Sequence, residues 1–214
     1  MRVIVTGVTG HVGEGVLLEC LQNPAVEKVL AVGRRGSGHT HPKLTELLVP
    51  DFTKLDAVEE QLEGYDACFY CAGVSSVGMS EADYTRATYE TPLRFAEVLA
   101  RLNPQLVLCH VTGRNTDGTE QGKVMWARVK GRAENALARL PLKSTHNYRP
   151  GLMTPMPGQT HVRLIYRLLA PLLKPFMNTL SMHEVGLAMI HCVERPGLKQ
   201  VLEIDDIREA ARPV

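Results

Sequence analysis

Arg2-Val3-Ile4-Val5-Thr6-Gly7-Val8-Thr9-Gly10-His11-Val12-Gly13, followed by Val16-Leu17-Leu18-Glu19-Cys20-Leu21, decides how this chain is read. The β-branched run 2–6 reads as a strand, and the apolar residues from Val16 onward recur at helical spacing. Between them three glycines stand three residues apart. A strand that turns through such a loop into a helix is the arrangement that takes a dinucleotide pyrophosphate. Gly7 allows the sharp exit from the strand. Gly10 has no side chain to keep a phosphate from the backbone, and Gly13 lets the helix lie close on the strand. The unpaired N–H groups and the dipole of the helix start then face the phosphates, with Thr9, His11 and Val12 in the same loop.

The remaining chain is read outward from that unit. Strands are expected over 27–33, 44–52, 67–73, 105–112, 144–149 and 201–204. Helices are expected over 54–62, 80–101, 123–139, 162–177 and 183–194, with Ser80 as an N-cap. The run 67–73 is apolar throughout, as in a strand covered on both faces. Strands alternating with helices imply an α/β fold, a Rossmann-type doubly wound parallel sheet. Residues 1–151 are expected to form the dinucleotide-binding domain. Residues 152–214 are expected to form a small C-terminal helical lobe covering the substrate cleft within the same compact unit.

Composition narrows the function. In 214 residues, Lys+Arg total 24 and Asp+Glu 23, for a formal net charge of +1. That balance gives no reason to expect a nucleic-acid partner. No apolar run reaches the ~18 residues of a membrane span. The N-terminus leads directly into a strand, so a cytoplasmic protein without a secretory leader is expected. The 5 cysteines sit in apolar runs as buried thiols. Cys68 and Cys71 share C-x-x-C spacing, but on a strand residues three apart face opposite ways, and no metal site is expected.

The second strand ends in Gly33-Arg34-Arg35, with no carboxylate where an NAD site would hold the ribose hydroxyls. Two arginines suit a 2′-phosphate, which favours NADP(H) over NAD(H).

These motifs resemble the short-chain dehydrogenase/reductase superfamily, and within it the small atypical and epimerase-like members. Four stretches between Arg2 and about Gly151 carry the likeness: Gly7-x-Thr9-Gly10-x-x-Gly13, Asp51-Phe52, Cys71-Ala72-Gly73, and Arg149-Pro150-Gly151. The resemblance implies that Asp51 and Phe52 flank the adenine and that Cys71, Ala72 and Gly73 line the nicotinamide side. It also implies a Tyr-x-x-x-Lys pair after the fifth strand, and here the chain departs from the family with Trp126-Ala127-Arg128-Val129-Lys130. Lys130 keeps the lysine's position. Trp126 stands for the tyrosine, but an indole N–H does not titrate near neutrality. Thr112 falls at the family's serine, and Thr88 near its helix asparagine. Tyr84, His110 and Asp117 are the alternative sources of a proton.

Two functions stay open at this level. One is an NADP(H)-dependent oxidoreductase acting on a small organic molecule through Lys130, Thr112 and the unusual Trp126. The other is a catalytically silent NADPH-binding regulatory or scaffold protein. The helix 162–177 carries Arg163, Arg167 and Lys174 on one stripe, and it fits a cap on the cleft, a homodimer face or a membrane surface. Its prolines Pro171 and Pro175 weigh against the last.

Overall fold

The computed structural model describes residues 1–162, 178–195 and 197–213. The expected helix 162–177 and its basic stripe lie outside the described residues from 163 onward.

The first strand, β1 (Arg2–Thr6), leads through the glycine loop into α1 (His11–Gln22). There follow β2 (Lys28–Gly33), β3 (Leu44–Leu48), a 3-10 turn (Asp56–Leu62) and β4 (Ala67–Tyr70). Next come α2 (Glu81–Thr85), α3 (Thr91–Leu102), β5 (Val107–Val111), α4 (Met125–Leu137) and β6 (Ser144–Tyr148). The chain then runs through β7 (Leu152–Thr154), β8 (Thr179–Ser181), α5 (Met182–Glu194), β9 (Val201–Leu202) and α6 (Ile204–Ala210). Seven strands form one sheet in the order β3-β2-β1-β4-β5-β6-β9, every pair parallel. The expected doubly wound Rossmann fold is present. Strands β7 and β8 pair separately.

Alternation along each strand divides the core. Val3, Val5, Ala67, Phe69, Val107 and Cys109 pack under α1, α5 and α6. Ile4, Cys68, Tyr70 and Leu108 pack on the other face with Phe95, Leu99 and Leu137. Cys68 therefore turns into the second layer while Cys71 packs against the first, and all five cysteines are free thiols.

The structure revises several boundaries. The third and fourth strands stop at Leu48 and Tyr70, so Asp51-Phe52 and Cys71-Ala72-Gly73 stand in loops beyond their ends. The expected helix 80–101 starts as predicted, with the Asp83 N–H donating to Ser80 Oγ at 3.1 Å. It is not one α-helix, because a π-turn over Arg86–Glu90 separates α2 from α3. Pro92 in the first turn of α3 has no N–H to continue a regular ladder across that junction. Past residue 151, β7, β8 and α6 were not expected. The terminal strand β9 joins the main sheet beside β6.

Candidate functional site

Strand order reverses between β1 and β4, and in an open parallel sheet the crevice beyond that point is where ligands bind. Backbone packing builds this crevice. The buried hydroxyl of Thr6 accepts from the N–H groups of Cys71 and Ala72, both at 3.1 Å. Gly7 adopts φ +71, and a Cβ there would lie 2.7 Å from Ala72 N and Cys71 C, so the loops after β1 and β4 touch main chain to main chain. At Gly13 a Cβ would stand 2.2 Å from Gly7 O, which presses α1 onto the turn.

A cleft of about 460 Å³ opens there. Gly7, Thr9 and Gly10 line one side, and Arg34, Arg35, Asp51 and Phe52 another; Cys71, Ala72 and Gly73 complete it. Gly10 is the N-cap of α1 and supplies no side-chain cap, which leaves the first-turn N–H groups available to an anion. Both arginines are exposed, and neither has an ion-pair partner among the described residues. The nearby carboxylate of Glu46 is taken up by Ser37, whose N–H and hydroxyl both donate to it at 2.6 Å. Asp51 is held ionised by the hydroxyl and N–H of Thr53, which pull its pKa down. Phe52 is buried, lines the cleft and stacks on Phe95 with centroids 5.0 Å apart.

Three residues of the expected glycine loop do not line this cleft. Gly13 is consumed in packing. Val12 packs against the first core layer. His11 points toward the C-terminal segment, with Nε2 3.2 Å from the carbonyl of Met153.

A smaller recess adjoins the cleft beyond Ala72 and Gly73, lined by Thr88, His110, Thr112 and Lys130. The π-turn matters here, because it carries Ala87 into both spaces and Thr88 into the recess. Lys130 comes from α4, its Nζ donating to the carbonyl of Thr112 at 2.6 Å, and burial lowers its pKa. The Thr112 hydroxyl donates a hydrogen bond to the buried carboxylate of Glu134 at 2.6 Å. Glu134 is itself gripped by Arg149 through Nε and Nη2, and Arg149 reaches on to Glu203 at 3.2 Å. Thr112 is thus tied into an internal charge network. Trp126 is half-buried one turn before Lys130 and lines neither space.

Of the alternative proton sources, Tyr84 is packed inside with its pKa raised by burial. Asp117 accepts from Thr119 and from the N–H of Gly122 at 2.6 Å, a loop-closing role. His110 remains at the recess. Burial drives its pKa down to about 4, against the pull of Asn147, which pairs with Nδ1 at 3.1 Å.

Sequence reasoning missed Glu134 and the seating of α4. Asp117 N–H donates to Ala127 O at 3.0 Å, and a Cβ on Gly131 would sit 1.7 Å from Asp117 O. Loop 113–122 therefore lies flat on the helix that carries Trp126 and Lys130. The one signal for this was a glycine inside an otherwise helical pattern.

The model of the NAD-dependent epimerase/dehydratase family matches residues 3–124, more than half of the chain. The chain belongs to that family. Protein HTATIP2 of Rattus norvegicus is 26% identical over 153 residues, covering 71% of this chain and 62% of that protein. The chain thus spans less than two thirds of the length of this curated relative. Among solved structures, MoeE5 in complex with UDP-glucuronic acid and NAD superposes with a TM-score of 0.72 at 20% identity, over 95% of this chain and 76% of the other. The glucuronic acid dehydrogenase of Chromohalobacter salexigens gives 0.70 at 18%, over 94% and 75%. The UDP-glucuronic acid 4-epimerase of Bacillus cereus in complex with NAD gives 0.69 at 14%, over 95% and 76%. At these identities the likeness establishes the fold alone. Among the described residues no helix is long and apolar enough to cross a membrane.

Proposed function

We propose that this family member binds a nicotinamide nucleotide in the cleft, prefers NADP(H), and transfers hydride to or from a small organic substrate. One observation carries the reading: the glycine loop and α1 N-terminus form one wall of the cleft, and the unpaired Arg34 and Arg35 form another. The cleft suits the pyrophosphate at Gly7–Gly10, the adenine beside Asp51 and Phe52, and the 2′-phosphate at the arginines. MoeE5 and the Bacillus cereus epimerase named above are in complex with NAD, so the preference for NADP(H) rests on this chain's own Arg34 and Arg35.

Bound there, the nicotinamide supplies hydride chemistry. Lys130 stands where it can donate to the nicotinamide ribose, and Gly73 and Ala72 leave room for the ring. Neither Trp126 nor Thr112 supplies a proton, the first for want of a titrating group and the second because Glu134 holds its hydrogen. Acceptors whose reduced form takes its proton from water, such as quinones and flavins, suit this recess better than simple carbonyls.

The same observation favours a second reading, in which the protein binds NADPH, turns nothing over, and reports the cofactor to a partner. Turnover measured with NADPH against quinones, flavins and aldehydes, and with NADP+ against a UDP-sugar, separates the two. Quinone or flavin reduction with poor carbonyl reduction is expected. General acid catalysis is worth roughly 10²–10⁴-fold, but Trp126 lines neither the cleft nor the recess, so Trp126→Tyr is expected to leave carbonyl reduction poor. Fast carbonyl reduction that survives Trp126→Phe refutes this view of α4, and no turnover with any acceptor favours the silent reading.

A further inference from the structure

Outside the cleft, three segments distant in sequence bring their side chains to one point. Glu14 comes from the first turn of α1, His39 from the loop between β2 and β3, and His161 from the segment after β7. The Glu14 side chain has no solvent exposure, while His39 and His161 keep 18% and 33% of theirs. His39 Nε2 lies 3.0 Å and His161 Nδ1 3.1 Å from the same oxygen, Glu14 Oε1, and the three donor atoms all fall within 4.8 Å of one another. We propose that Glu14, His39 and His161 form a binding site for a first-row divalent cation such as Zn²⁺.

The chemistry fits. Two imidazole nitrogens and a carboxylate oxygen are a common ligand set for zinc, and bond lengths of 2.0–2.2 Å at tetrahedral angles separate donor atoms by roughly 3.3 Å. The observed separations from Glu14 need only a few tenths of an ångström of movement to admit an ion. The carboxylate is already oriented: the Thr160 N–H and hydroxyl donate to Oε1 and the His161 N–H to Oε2, each at 2.7 Å. Outer-shell donors of this kind fix a ligand's direction in metal sites. The partly exposed histidines leave the ion a way in and a fourth position for water. The site is separate from the nucleotide cleft, since none of the three residues lines it. A cation here would clip the β2–β3 loop, which opens with Arg34-Arg35, to the segment 159–161.

The test uses untagged, chelator-treated full-length protein, titrated with ZnCl₂ by calorimetry and with Co²⁺ by visible absorption. One equivalent of Zn²⁺ bound per chain, a higher Tm on loading and a Co²⁺ spectrum of low coordination number are expected. His39→Ala and His161→Ala should each weaken Zn²⁺ on the order of 100-fold or more, given that outer-shell losses alone reach that level. Both replace partly exposed side chains, so folding should survive, and circular dichroism checks it. His41→Ala, in the same loop but outside the cluster, should bind as wild type. Absence of stoichiometric binding by folded wild type overturns the proposal, as does binding unchanged in the two histidine variants. Neither result depends on which nicotinamide nucleotide the cleft takes.

Discussion

Replacing Arg34 by Ala tests the cofactor preference most directly. Arg34 is exposed, lines the cleft and has no ion-pair partner among the described residues, so its removal breaks no internal contact. The carboxylate of Glu46 accepts from the Ser37 N–H and hydroxyl at 2.6 Å and forms no ion pair with Arg34 among the described residues. The loss is therefore the arginine's own contribution to a 2′-phosphate. A hydrogen bond to a charged group is worth about 1.5–3 kcal/mol. At 1.4 kcal/mol per factor of ten, Arg34→Ala should weaken NADPH about tenfold to a hundredfold. NADH has no 2′-phosphate and should be affected little, with fluorescence titration of both nucleotides as the assay. Because the guanidinium is in solvent, the NADPH advantage should shrink as ionic strength rises and the Debye length falls below about 10 Å. If wild type binds NADH as tightly as NADPH, or if Arg34→Ala weakens both equally, the reasoning from the β2 terminus is refuted.

The glycine loop makes a paired prediction. A Cβ at Gly10 would meet only Gly7 O, at 3.3 Å, so Gly10→Val should stay folded by circular dichroism yet lose nucleotide in calorimetry. Gly13→Ala, with its Cβ 2.2 Å from Gly7 O, should instead lower stability by about 1–3 kcal/mol or more in urea unfolding. Burial holds the folded-state pKa of His110 near 4, below its ordinary 6.5. The unfolded chain then binds the extra proton first. The stability this contributes is whole above pH 6.5, declines as pH falls, and is gone below about pH 4. The total is about 3 kcal/mol, and His110→Gln should flatten that part of the stability–pH profile.

The fold was legible in the sequence because its signals are local. A β-branched strand, glycines at three-residue spacing and a helical apolar period all act within residues 2–21. Each states a backbone requirement that no distant contact can supply. The alternation that sent Cys68 and Cys71 to different layers was legible for the same reason, since side-chain direction on a strand follows from residue count. Gly7, Thr9, Gly10, the two arginines, Asp51-Phe52 and Cys71–Gly73 all reached the cleft because strand ends in a parallel sheet converge at the switch point.

Tertiary structure decided what depends on partners far apart in the chain. That the Thr112 hydroxyl donates a hydrogen bond to Glu134, and that Arg149 holds Glu134, comes from three elements meeting. His11 looked like a loop residue beside a phosphate, and the carbonyl of Met153, 142 residues away, turned it elsewhere. The π-turn at Arg86–Glu90 interrupts the helix just before Pro92, although the helical period runs through it unbroken. Glu14, His39 and His161 have no shared sequence pattern. Only folding, by burying one carboxylate where two loops cross it, makes them neighbours.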